Sequence, residues 1–122
     1  MKIKSVEPCY TGGNIYVFTG SLNDGTFFLA SDDMYDVTII DTDPSKADWD
    51  NEVFDMDWIE SHLVKYLPDC TSDDTTGIKF FIDILDWVIK NNPKGNYQMS
   101  DIKSILTDVK EYLDWLLSDI IV

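Results

Sequence analysis

The stretch from Thr75 to Lys90 constrains the fold most, because its apolar residues occupy two faces of a helix at once. Ile78, Phe81, Ile82, Leu85 and Ile89 form one stripe at helical spacing, and Phe80, Ile84 and Trp87 form a second. Lys79, Asp83, Asp86 and Lys90 are left as a narrow polar edge, with Lys79–Asp83 and Asp86–Lys90 spaced for i,i+4 pairing. A helix that is apolar on two faces has to lie between two layers. The pattern predicts a helix over 75–90 with Ile82 and Leu85 buried, ended by Asn91-Asn92-Pro93-Lys94-Gly95.

The rest of the chain supplies both layers. Beyond the break, Ile102, Ile105, Leu106, Val109, Leu113, Leu116 and Ile120 give one apolar stripe, which predicts a helix over 100–118 with Ser100 as its N-cap and Asp101 at the positive end of its dipole. The first 40 or so residues read as strands over 2–6, 15–19, 26–30 and 36–41, rich in β-branched and aromatic side chains. Thr11-Gly12-Gly13-Asn14 and Asn23-Asp24-Gly25 are turn signals between them, since Gly readily takes the positive φ of a tight hairpin. Pro44 stops the fourth strand, because proline cannot donate to a ladder. Trp49, Val53, Met56 and Ile59 recur at helical spacing and predict a short acidic helix over 50–60; residues 62–67 fit either its extension or a fifth strand. The expectation is one α+β domain spanning 1–122: an antiparallel sheet of four or five strands covered by a C-terminal helical hairpin.

Charge is the second constraint. The 122 residues carry 23 acids against nine bases, a formal −14, and every base is Lys. Solubility of a small domain needs a net charge of only about 2–8, and a larger excess works against compaction by self-repulsion. Such a balance speaks against direct binding of nucleic acid or anionic lipid, both of which rest on Lys/Arg contacts to phosphate. Residues 1–31 are neutral and 61–122 carry −4, whereas 32–60 hold eleven acids against Lys46 alone, net −10. Asp41, Asp43, Asp48, Asp50, Glu52, Asp55 and Asp57 largely alternate, which in extended chain puts neighbours on one face at about 6.6 Å, twice the rise per residue. In a helix, Asp48, Glu52 and Asp55 share a face instead. Either geometry lays carboxylates in a row, with Trp49, Phe54 and Trp58 interleaved as apolar anchors. The competing reading is an ordinary solvated face, though such a face normally mixes both signs.

On these residues, from Asp32 to Glu60, the chain resembles small acidic inhibitor proteins of phages and mobile elements, of the DNA-mimic and anti-CRISPR type. The resemblance is one of charge pattern and implies a non-enzymatic protein that blocks the basic nucleic-acid-binding groove of a nuclease or related enzyme. Asp41, Asp43, Asp48, Trp49, Asp50, Glu52, Asp55 and Asp57 would form its partner-binding face. Acidic immunity proteins that neutralise nuclease toxins share the same pattern and are the alternative.

Other chemistry has little footing. Asp41-Thr42-Asp43-Pro44-Ser45-Lys46 opens like a calcium loop but has Lys where Gly is required, and Asp48-Trp49-Asp50-Asn51-Glu52-Val53 has Val there. A zinc set would have to come from Cys9, His62, Cys70 and Asp69, which lack paired-ligand spacing. Neither Cys sits in a nucleophile motif, and Gly12-Gly13 lacks a phosphate loop's GK[ST] ending. No metal, cofactor or catalytic residue is expected, with a small enzyme or metal-binding domain as the alternative of another class. No apolar run reaches membrane-spanning length, and the segment Met1–Glu7 lacks the apolar core of a signal peptide. The expected setting is therefore the cytoplasm, with Cys9 and Cys70 as unlinked thiols.

Overall fold

The structure, a computed structural model, describes residues 2–10, 16–31, 35–43, 56–67, 75–91 and 98–121. Five strands form one antiparallel sheet in sequence order: β1 (Ile3–Tyr10), β2 (Tyr16–Leu22), β3 (Phe27–Ser31), β4 (Val37–Ile40) and β5 (Leu63–Leu67). A short helix, α1 (Met56–His62), precedes β5, and two long ones, α2 (Thr76–Asn91) and α3 (Met99–Ile121), follow it. This is the expected α+β architecture, with the sheet N-terminal and the helical hairpin C-terminal.

The β2–β3 turn forms where the sequence marks it. Gly25 has φ of 90°, the N–H of Leu22 donates to the Thr26 carbonyl at 2.9 Å, and the N–H of Thr26 donates to the Asp24 carboxylate at 3.0 Å. Residues 62–67 resolve as His62 closing α1 and a strand beginning at Leu63 without a linker. The His62 carbonyl accepts the N–H of Asp41 at 3.0 Å, which draws the helix end to the end of β4. Leu-Val-Lys-Tyr-Leu then pairs along β4 with a bulge between Ile39 and Ile40.

Pairing fixes two unlike faces. Val6, Phe18, Leu22, Phe28, Ala30, Val37, Ile39 and Leu67 lie on the first, where α2 covers them. Phe81 meets Phe18 edge-on at 5.9 Å between centroids, and Phe80 meets Phe28 at 5.7 Å. Such pairs add roughly 0.5–1.5 kcal/mol to what their burial supplies. α3 packs on the far side of α2 through buried Ile102 and Val109, so α2 lies between two layers as its double stripe requires.

Three details differ from expectation. Leu85 is fully buried but Ile82 is only half-buried, because burial centres on Ile78, Phe81, Ile84, Leu85 and Val88 and turns Ile82 toward the rim. Neither Lys79–Asp83 nor Asp86–Lys90 closes to an ion pair within 4 Å; exposed side chains gain little from such contacts. α3 begins at Met99, with the Gln98 carbonyl accepting from Asp101 and Ile102, so Ser100 sits inside the helix and does not cap it. Cys70, the Thr11–Asn14 turn and the part of the 50–60 helix before Met56 lie outside the described residues. Among the described residues no helix is long and apolar enough to cross a membrane.

Candidate functional site

The second face of the sheet is where Asp43 and α1 lie. Strand alternation gives it Ser5 and Glu7 from β1, Val17, Thr19 and Ser21 from β2, Phe27, Leu29 and Ser31 from β3, Thr38 and Ile40 from β4, and Tyr66 from β5. It is mixed where the first face is apolar. Ser5 and Ser21 oppose each other with their hydroxyls 2.6 Å apart, and the Thr19 hydroxyl donates to the Glu7 carbonyl at 3.2 Å. α1 seats Ile59 and Trp58 on Leu29, Ile40 and Phe27, a small core separate from the main one.

Asp41 and Asp57 are exposed and Asp43 is half-buried. They come from the end of β4 and the first turn of α1, elements joined by the Asp41–His62 backbone bond. Asp43 overhangs the second face in a small hollow with Ser5, Glu7, Thr19, Ser21 and Phe27. Asp48, Trp49, Asp50, Glu52 and Asp55 lie outside the described residues. Sequence reasoning left out Glu7, Asp36 and Glu60, which are exposed on or beside this same face. Register, which follows from pairing and not from local sequence, is what puts Glu7 on this face and Asp36 beside it. The lysines of α2 and α3 that are described, Lys79, Lys90, Lys103 and Lys110, stand on the two C-terminal helices and not on the second face.

His62 forms the densest polar contact on this side. Its Nδ1 is 3.0 Å from Asp41 Oδ1 and 2.9 Å from Thr42 Oγ1, and the Thr42 hydroxyl donates to the same carboxylate oxygen at 2.8 Å. The Thr42 hydroxyl, with His62 beside it, holds the Asp41 carboxyl below the usual carboxylate range. A His–Asp–hydroxyl grouping suggests nucleophilic catalysis, but a relay needs the acid and the hydroxyl on opposite ring nitrogens. Here both meet Nδ1, so the cluster ties α1 to β4, with the Trp58 ring on the imidazole at 4.8 Å. Among the described residues no three His, Cys, Asp or Glu side chains gather as a metal site.

A recess of about 80 Å³ opens at the rim of α1, lined by Val17, Leu29, Ser31, Asp36, Thr38 and Ile59. On the other side of the molecule a shallow groove of about 310 Å³ runs between Lys2, Ile3, Asp83, Asp86, Trp87 and Lys90. There burial, reinforced by Asp86, raises the Asp83 carboxyl above its ordinary range. Comparison with protein-family models, with curated proteins and with solved structures found no match.

Proposed function

We propose that this chain is an acidic binding protein that lays its α1 side on a Lys/Arg-rich groove, that of a nucleic-acid-handling enzyme, and so excludes the nucleic acid. One observation carries the reading: residues 32–60 hold eleven acids against a single Lys, and Asp41, Asp57 and Glu60 from that run are exposed. A patch of one sign attracts a basic groove over a Debye length, which accelerates association and makes it sensitive to salt. The small second core beneath α1 gives those acids a fixed platform.

The test is competition. The immobilised chain should retain a basic nucleic-acid-binding protein at low ionic strength, and duplex DNA or single-stranded RNA should displace it. A variant with Asp41, Asp43, Asp57 and Glu60 changed to Asn or Gln should bind more slowly, with a flatter salt dependence. Changing Asp108, Glu111 and Asp114 on α3 should do much less. Equal effects from both sets, or retention that nucleic acid does not touch, would overturn the reading.

A further inference from the structure

The recess at the rim of α1 is built from two adjacent cross-strand pairs of the second face. Val17 opposes Ser31, Leu29 opposes Thr38, and Ile59 descends from α1 to close one side. Its walls are therefore aliphatic, with two hydroxyl side chains among them. Thr38 is 8% exposed, and among the described residues no hydrogen bond engages its hydroxyl. Asp36 stands exposed beside the opening, its carbonyl accepting the N–H of Ser31 at 3.2 Å.

The backbone that delivers Asp36 is held in a costly conformation. Tyr35 has φ of 57°, a left-handed geometry that costs a non-glycine residue roughly 1–2 kcal/mol. Its ring packs on Phe81 at 5.4 Å and on Tyr112 at 5.9 Å, so α2 and α3 hold the turn in place. Asp36 is thus held at the lip of an aliphatic hollow by packing of its neighbour Tyr35 on the main core.

The recess, about 80 Å³, is on the scale of one slender side chain such as lysine, with its four-carbon stem and ammonium head. We propose that this recess receives a lysine side chain of a basic protein partner, its stem against Val17, Leu29 and Ile59 and its ammonium between Thr38 and Asp36. This rests on the reading above and names the contact that would fix the partner's register. The arrangement matches how lysine divides itself, with methylenes on apolar surface and charge at a polar edge.

Butylammonium chloride is a minimal probe, titrated into the full chain while amide proton–nitrogen spectra are recorded, with 1-butanol and sodium butyrate in parallel at matched ionic strength. Saturable shifts are expected at Val17, Ser31, Thr38 and Ile59 for butylammonium, about two- to fivefold tighter than for 1-butanol, the margin one exposed ion pair supplies. Butyrate should give no shifts there. Asp36→Asn should bring butylammonium down to the affinity of 1-butanol, and Ser31→Leu, which fills the hollow, should abolish both responses. Because Asp36→Asn leaves the aliphatic walls intact, it keeps the test meaningful if Ser31→Leu fails to fold. Equal binding of butylammonium and 1-butanol, or shifts confined to the Asp83–Asp86 groove, would overturn the lysine assignment. Neither result bears on whether nucleic acid competes for the partner, so the two readings fail separately.

Discussion

Gly20 sits in the middle of β2, and replacing it by Ala sets two effects of opposite sign against each other. Ala limits the unfolded chain and on that ground stabilises by about 0.4–1 kcal/mol where its conformation is allowed. The φ of Gly20 lies outside the left-handed region, so its dihedrals do not object. Space does. An added Cβ would stand 2.1 Å from the Ser5 carbonyl oxygen and 2.6 Å from two atoms of the Phe28 ring. Ordinary contact begins near 3.4 Å, so β1 would have to withdraw by more than an ångström where it already carries a bulge between Ile3 and Ser5. Phe28 is fully buried against Phe80 and cannot swing away. Overpacking of this kind costs about 1–3 kcal/mol, and here one obstacle is backbone, which places it at the upper end. A net loss of about 2–2.6 kcal/mol is expected. With a urea m-value of about 2 kcal/mol per molar, the midpoint followed by far-UV circular dichroism should fall by about 1–1.3 M. Gly25→Ala should also destabilise, for the other reason: nothing stands near its Cβ, but its φ of 90° strains any L side chain. A Gly20→Ala protein unfolding at the parent midpoint or above would refute the packing argument.

Leu85→Ala should cost about 2–5 kcal/mol and Ile82→Ala clearly less, read from urea midpoints, because Leu85 is fully buried and Ile82 is not. Asp41 is held below its usual range by Thr42 and then His62, so its stabilising contribution is present above its unfolded pKa and fades as pH falls through its lowered folded value. The stability gap between the parent and Asp41→Asn should therefore close in acid; a gap independent of pH down to strong acid would contradict this. Adding sodium chloride from about 0.01 to 0.15 M, which shortens the screening length from about 30 to 8 Å, should raise the urea midpoint.

The fold was legible where one local signal sufficed. Asn23-Asp24-Gly25 could hardly be anything but a tight turn, and the double stripe of α2 required a layer on each side. The exact buried set was less legible, because periodicity says that a face is apolar without saying which neighbour covers it; Ile82 belongs to the stripe yet meets the rim. Five residues such as Leu-Val-Lys-Tyr-Leu satisfy helical and extended patterns equally, and only pairing with β4 decides for β5. Of the candidate site, the acids of the segment could be counted but not oriented. The recess was beyond reach, since it assembles residues 17 to 59 from four elements and depends on the left-handed Tyr35, for which an aromatic residue gives no advance signal.

The acidity acts on the fold and on binding with opposite signs, and this separates a used charge from a tolerated one. Repulsion within a chain of −14 opposes compaction, so screening should help the fold. Attraction of the same carboxylates to a basic groove is weakened by the same screening, so salt should hurt binding. A merely solvated acidic surface would show the first dependence alone. The second face also requires the two to part by position: Asp41, Asp57 and Glu60 stand where α1 is braced by Ile59 on Leu29 and Ile40 and by the His62 contact to Asp41. Neutralising Asp57 and Glu60, which leaves the Asp41–His62 contact in place, should slow association without disordering the platform, whereas weakening the platform through Ile59→Ala should lower affinity with the charge count unchanged. Loss of binding in both, with the salt slope flattened only in the first, is the pattern that a built acidic face produces and a solvated surface does not.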